Sequence, residues 1–92
     1  MIDFIMRLFG YENIDRINIY DDFQKRPPRK VKMAERILFF RETGKLKVPI
    51  VIHINYLTNN WYLVDGYTSY LIAKENNIKY VKVVRKWLTT IK

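Results

Sequence analysis

The chain has 92 residues and a mass of 11.2 kDa, and its 17 Lys+Arg against 9 Asp+Glu give a formal net charge of +8. The absence of cysteine excludes a disulfide scaffold, a thiol nucleophile and a cysteine-ligated zinc site, and a single histidine excludes a histidine-rich metal site. A hydrophobic fraction of 49% predicts one globular domain over residues 1–92, with a core at about 14–87 and an apolar segment at 1–12. No run approaches the ~20 apolar residues that span a membrane, so we expect a soluble, cytoplasmic protein with no membrane partner.

The first predicted elements are a strand and a long helix. Residues 1–11 are apolar on nearly every side, and their pattern does not separate a short helix from a strand. A strand is predicted from Ile14 to Tyr20, followed by a polar turn that runs to Pro28. Residues 30–42 have a helical pattern that Gly44 can close. The apolar stripe of this helix is predicted at Met33, Ala34, Ile37 and Leu38, and Phe39 and Phe40 widen it.

The second half of the chain has clearer alternation. Val48 to Tyr56 predicts a strand, Thr58-Asn59-Asn60 a turn, and residues 61–64 a returning strand that completes a β-hairpin. A short helix at 67–76 and a strand at 80–87 follow. The sequence therefore predicts a small α+β domain with a mixed sheet and two principal helices.

Positive charge is concentrated after residue 24. Residues 1–24 hold two of the basic and five of the acidic residues, leaving 15 basic and four acidic residues for 25–92. Five cations surround the Pro27-Pro28 pair, namely Lys25, Arg26, Arg29, Lys30 and Lys32. Such a field attracts nucleic acid, nucleotides or acidic protein surfaces, although a solvated surface explains the same charge.

A strand runs through Asp65-Gly66 into a helix, which is a geometry suited to anions. The first N–H groups of a helix lack intrahelical partners and carry the positive end of its dipole. Gly66 lets the backbone approach a ligand, and Thr68 and Ser69 add hydroxyl groups. Simple capping of the helix by Asp65, Thr68 or Ser69 explains the same residues and stays open.

Several motifs occur in a characteristic order. They are the basic loop Arg26-Pro-Pro-Arg-Lys-Val31, a helix ending near Gly44, V-P-I-V-I at 48–52, a strand into D-G at 62–66, Y-L-I-A-K-E-N-N-I at 70–78 and V-K-V-V at 81–84. This ordered set resembles the ParB N-terminal domain and sulfiredoxin superfamily. The resemblance implies a small ParB/sulfiredoxin-like α+β fold with a nucleotide or phosphate pocket. That pocket would lie between the start of the first helix and the turn after the second strand.

The resemblance also implies residue roles. Sulfiredoxins have a P-x-K-V segment whose lysine contacts nucleotide phosphate, and Lys30 occupies that position in Pro28-Arg29-Lys30-Val31. ParB proteins have a G-E-R-R segment that binds the phosphates of CTP, and sulfiredoxins have G-C-H-R, whose cysteine performs the chemistry. Here Tyr67, Thr68 and Ser69 follow the glycine, so sulfiredoxin chemistry is excluded. A hydroxyl pair binds anions more weakly than two guanidinium groups, and Arg26 or Arg29 can replace that charge from across the pocket.

The principal hypothesis is a stand-alone domain that binds DNA or a nucleotide (CTP, ATP or ADP, with Mg²⁺) and has no metal site of its own. The predicted phosphate and nucleotide site comprises Arg29, Lys30, Gly66, Tyr67, Thr68 and Ser69. The predicted contacts to a nucleic-acid backbone are Lys25, Arg26, Lys32, Lys82, Arg85 and Lys86. The aromatic residues Trp61, Tyr62, Tyr67 and Tyr70 are predicted to cluster near the turn, where they can stack a base.

Two alternatives stay open. The first is a nucleotide-dependent phosphotransferase or a nuclease-like enzyme, in which Asp65 holds a metal or acts as base, although we expect a binding protein rather than an enzyme. The second is a protein-interaction module with a degenerate pocket, in which Met1–Tyr11 docks a protein partner or a second copy of the chain. His53 is a further candidate base, but the sequence supplies no obvious partner for it.

Overall fold

The computed structural model describes residues 2–55 and 60–87. The elements in chain order are helix α1 (Ile2–Leu8), strand β1 (Tyr11–Asn13), a 3-10 turn (Ile14–Arg16), β2 (Ile17–Asn18), α2 (Asp21–Lys25), α3 (Lys30–Thr43), β3 (Ile50–Asn55), β4 (Asn60–Asp65), α4 (Tyr67–Glu75) and β5 (Tyr80–Trp87). Within this described part, every helix is too short or too polar to cross a membrane.

The five strands form one mixed sheet in the order β1-β5-β3-β4-β2. β3 and β4 form the predicted antiparallel hairpin, in which Ile52 lies opposite Leu63. β5 runs parallel to β3 and antiparallel to β1, and β2 runs parallel to β4. The α+β class, the mixed sheet and the two principal helices α3 and α4 are confirmed.

One face of the sheet forms the core. Alternate side chains of a strand point to opposite faces, so the residues of one parity share a face. The buried set on this face comprises Ile50, Ile52, Ile54, Trp61, Leu63, Val81 and Val83, with Ile14 and Ile17 beside them. Ala73 of α4 belongs to the same cluster, and Tyr67 and Tyr70 pack against it. The amphipathic pattern of the strands therefore places α4 over this face.

The predicted strand at 14–20 and the polar turn after it were wrong. The side chain of Asn13 accepts a hydrogen bond from the Asp15 N–H at 3.0 Å, and this local turn competes with strand pairing. Only Ile17–Asn18 pairs as a strand. The predicted turn begins as helix α2, where Asp21 and Asp22 occupy the first turn and interact favourably with the helix dipole. The undecided N-terminal segment is a helix followed by a short strand.

Helix α3 has the predicted bounds within one residue, and its predicted apolar stripe is half-buried at Met33 and Ile37 but exposed at Ala34. None of its residues is fully buried, and Leu38 is 56% exposed. The half-buried positions include Phe39 and Phe40, whose large rings favour turning this side of the helix inward. The helix closes at Gly44, which has a φ of +72° and donates its N–H to the Phe40 carbonyl at 2.7 Å.

The remaining predicted bounds are close to the observed ones. The strand predicted at 48–56 is β3, which covers 50–55, and the helix predicted at 67–76 is α4. Position 56 and most of the predicted Thr58-Asn59-Asn60 turn lie outside the described residues, and Asn60 is the first residue of β4.

We predict that Gly66→Ala destabilises the fold far more than Gly44→Ala. Gly66 has a φ of +85°, and a Cβ built there would collide with the Pro49 carbonyl oxygen and lie 2.9 Å from the Ile50 Cα. Gly44 also has positive φ, but its Cβ would meet nothing within 4 Å. We expect a loss of about 1 kcal/mol at Gly44 from backbone strain alone, and about 3 kcal/mol at Gly66 from strain plus overpacking. Urea denaturation measures both losses, and equal losses would contradict the close contact.

Candidate functional site

A cavity of about 210 Å³ lies where the basic loop meets the start of α4. Its walls come from Phe23, Arg26, Pro28, Lys32, Val48, Asp65, Gly66, Tyr67 and Thr68. The two segments that the sequence analysis singled out, the proline-containing basic loop and the Asp-Gly turn, therefore line the same cavity. Two cations and one carboxylate face it.

The α4 side of the cavity is mainly backbone. Gly66 adopts the left-handed conformation that turns the chain from β4 into α4, and no side chain caps the helix there. The Gly66 N–H donates to Asp65 Oδ1 at 2.8 Å, and the Gly66 carbonyl accepts the Tyr70 N–H at 3.0 Å. The first turn of α4 therefore presents the positive end of its dipole at the cavity wall.

The opposite side comes from the α2–α3 segment. Arg26 ends α2, with its N–H donating to the Phe23 carbonyl at 3.3 Å, and Lys32 lies in the first turn of α3. Arg29 and Lys30 are exposed and are not among the cavity-lining residues. Residues that are two apart in an α-helix are separated by about 200° around its axis. The side chains of Lys30 and Lys32 therefore leave α3 in nearly opposite directions.

The four aromatic residues predicted to form one cluster are divided between three places. Tyr67 contacts Phe23, with ring centroids 5.2 Å apart, and stacks on Tyr70 at 6.3 Å, so these rings form a wall beside the cavity. Burial raises the pKa of the Tyr70 hydroxyl, which keeps that ring neutral. Trp61 is buried in the core, and Tyr62 lies on the other face of the sheet.

The hydroxyl and carboxyl groups of the Asp-Gly turn have different environments. Ser69 is 1% exposed, and its Oγ donates to the Val48 carbonyl, so this hydroxyl ties α4 to the chain before β3. Thr68 is also buried and lines the cavity, whereas Asp65 is exposed at its edge. The ligand-binding roles of Asp65, Thr68 and Ser69 stay predictions.

The residues predicted to contact nucleic acid also differ in their surroundings. Lys25, Lys82 and Lys86 are exposed, and Arg26 and Lys32 line the cavity. Arg85 instead donates from Nη2 to Glu12 Oε2 at 3.1 Å, and Arg7 donates to the same carboxylate from Nε at 3.2 Å. Glu12 is 1% exposed, so Arg85 partners a buried charge, a pairing across 73 residues that the sequence pattern did not signal.

Helix α1 is oriented with its apolar residues outward. In α1 and the residue after it, the large apolar side chains that are more than half exposed are those of Ile2, Phe4, Ile5, Leu8 and Phe9. Arg7 points inward to Glu12, and its guanidinium also lies 4.9 Å from the centre of the Trp61 ring. A protein partner or second copy bound at Met1–Tyr11 stays a prediction.

Metal-binding geometry is not found in the part of the chain that the structure describes. In residues 2–55 and 60–87, no three His, Asp or Glu side chains are grouped as a metal site requires. Asp65 is the carboxylate at the cavity wall.

No known protein family and no curated protein matches this sequence. Solved structures do match. Sulfiredoxin from Arabidopsis thaliana aligns with a TM-score of 0.65 and 17% identity over 82% of this chain and 80% of its own. The C-terminally truncated chromosome-partitioning protein ParB from Caulobacter crescentus aligns in complex with CTP-γ-S at a TM-score of 0.63 and 20% identity. The same protein complexed to the centromeric parS site aligns at 0.62 and 22%.

This chain has a ParB/sulfiredoxin-like fold. The resemblance that the motifs carry is therefore confirmed at the level of architecture. Each ParB alignment covers 85% of this chain but only 43% or 40% of the ParB chain. The chain thus spans less than half the length of these ParB structures.

We predict that Arg85→Ala lowers the free energy of unfolding by about 2 kcal/mol, because it removes one of two partners from a buried carboxylate. Lys86→Ala, at the neighbouring exposed position, should change it by less than about 0.5 kcal/mol. Urea denaturation of both variants measures the difference. If Arg85→Ala is as stable as Lys86→Ala, the ion pair with Glu12 is not a structural element.

Proposed function

We propose that this chain binds a phosphate-bearing ligand, a nucleotide or DNA, in the cavity between the α2–α3 segment and the first turn of α4. The proposal rests on one observation: Arg26, Lys32 and the start of α4, which no side chain caps, line the same cavity. A guanidinium group binds phosphate oxygens in a bidentate manner, an ammonium group acts as a point charge, and helix N–H groups donate directly. All three kinds of donor suit the same anion.

The size of the cavity indicates which part of the ligand it takes. A volume of about 210 Å³ is below the roughly 300–1,000 Å³ of pockets that enclose a whole small molecule. Phosphate groups fit inside it, and the sugar and base then lie at its open edge. Asp65 at that edge is the lining carboxylate that can face a Mg²⁺ ion carried by the phosphates.

One protein with the same fold, solved in two complexes, supports this assignment by analogy. The ParB structures that share the fold were solved with CTP-γ-S and with the parS site. Arg29 and Lys30 are exposed and outside the cavity lining, so they remain proposed contacts to a part of the ligand that extends beyond the cavity. Lys25, Lys82 and Lys86 remain proposed contacts to a DNA backbone, which would make that affinity fall steeply with salt.

We predict that Lys32→Ala and Arg26→Ala each weaken CTP or ATP binding about tenfold, since a hydrogen bond to a charged group contributes about 1.5 kcal/mol. Isothermal titration calorimetry in 0.1 M salt, with and without Mg²⁺, measures the affinities. Inorganic pyrophosphate serves as a probe that lacks sugar and base.

Lys45→Ala is the matched control, because it makes the same charge change about 20 Å away at the other end of α3. It should leave the affinity within twofold of the unmodified protein. An equal loss in Lys45→Ala and Lys32→Ala would mean that net charge, not the cavity, attracts the nucleotide. No heat and no thermal shift with any nucleotide or pyrophosphate would contradict the proposal itself.

A further inference from the structure

The face of the sheet opposite the core carries its own set of side chains. Tyr62 of β4 is in register with His53 of β3, which is in register with Lys86 of β5. These positions alternate with the buried isoleucine, leucine and valine residues, so they point away from the core and from α4. Val64 and Val84, which share the parity of this row, are 37% and 48% exposed. Val51 of β3, between these strands and of the same parity, is only 8% exposed, so this face is open to solvent along β4 and β5 but closed at Val51.

Three rings on this face hold one another in place. Tyr20, which follows β2, stacks on Tyr62 with centroids 4.7 Å apart and planes inclined by 17°. Its hydroxyl oxygen lies 3.2 Å from His53 Nε2, and the His53 ring lies 5.9 Å from that of Tyr62. Tyr20 is still 39% exposed, so the stacked pair presents ring surface to solvent. The rings are positioned before any ligand arrives, which reduces the entropic cost of binding one.

Charges of both signs lie near the rings: the exposed Asp21 and Asp22 follow Tyr20 in the chain, and the lysines of β5 supply positive charge on the open face. Lys86 lies two strands from Tyr62, which is about 10 Å, and Lys82 lies four residues earlier on the same face of β5. Partial burial, and to a smaller extent the neighbouring Tyr62, raise the pKa of Tyr20, so its hydroxyl adds no negative charge in neutral solution. Exposed aromatic rings beside lysines are suited to a ligand that has both flat bases and phosphates.

We propose that this open face, formed by Tyr20, His53 and Tyr62 with Lys82 and Lys86, binds single-stranded nucleic acid, with an unpaired base stacked on Tyr20. A base in a duplex is already stacked on its neighbours and does not offer a free ring face, whereas a single strand does. The surface shares no residue with the cavity at Arg26 and Lys32, but Lys82 and Lys86 are also the proposed contacts to a DNA backbone. This inference therefore rests in part on the proposed function and deepens it, because it names a single strand as the form of nucleic acid bound.

Fluorescence anisotropy with a labelled ten-nucleotide oligothymidine, and with a ten-base-pair duplex as comparison, tests the proposal. We expect tighter binding of the single strand than of the duplex. Tyr20→Leu, which keeps an apolar side chain but removes the ring, should weaken single-strand binding about 5- to 100-fold, the range of base–aromatic stacking. Tyr20→Phe, which keeps the ring, should stay within about threefold. Lys86→Ala should weaken single-strand binding less than Tyr20→Leu does. It should also reduce the slope of log affinity against log salt concentration by about one, because one phosphate contact is lost.

The control variants separate this surface from general charge and from the cavity. Lys45→Ala removes the same charge just beyond the C-terminal end of α3 and should change single-strand affinity less than Lys86→Ala. Lys32→Ala, in the cavity, should weaken nucleotide binding and reduce single-strand affinity less than Tyr20→Leu does. Circular dichroism establishes that each variant is folded, and Tyr20 is chosen over Tyr62 because it is the more exposed partner. Equal affinity for the duplex, or a Tyr20→Leu variant that binds like the unmodified protein, would overturn the proposal.

Discussion

At Gly66 the backbone of the β4–α4 turn lies against the Pro49–Ile50 peptide with no space for a Cβ atom. Glycine has no Cβ and adopts a left-handed φ without strain, so it accommodates both requirements, and any other residue would be strained here. The contact sets the first turn of α4 beside the start of β3, where the Ser69 hydroxyl reaches the Val48 carbonyl. The cavity depends on this arrangement, because a displaced α4 would no longer face Arg26 and Lys32.

Two groups of basic residues in the described part of the chain have different surroundings. Arg7 and Arg85 neutralise the buried carboxylate of Glu12, and Arg7 and Arg16 both lie over the Trp61 ring. These arginines stabilise the packing of α1, β1 and β5. The cations that line the cavity, and the exposed lysines on the open face of the sheet, are the ones that we propose for ligand binding.

The segments with strong periodicity were predictable from sequence, and those governed by local or distant contacts were not. The alternation at 48–56 and 80–87 and the helical pattern at 30–42 correspond to β3, β5 and α3 within two residues. The break near Asn13 depends on one side-chain hydrogen bond, which competes with an alternating pattern that reads as a strand. The motif resemblance singled out Lys30, whereas the phase of α3 places Lys32 in the cavity wall. Partners such as Glu12–Arg85 and Tyr20–Tyr62 follow only from the strand order, which the sequence did not specify.

The central claim is that the basic loop and the Gly66 turn form one anion site. The most direct test is a titration of the ¹⁵N-labelled protein with inorganic pyrophosphate, followed by ¹H–¹⁵N correlation spectra. The account predicts that the backbone amides of Arg26, Lys32, Gly66, Tyr67 and Thr68 shift together with a single dissociation constant. Shifts confined to only one of the two segments, or found only at residues remote from both, would contradict it.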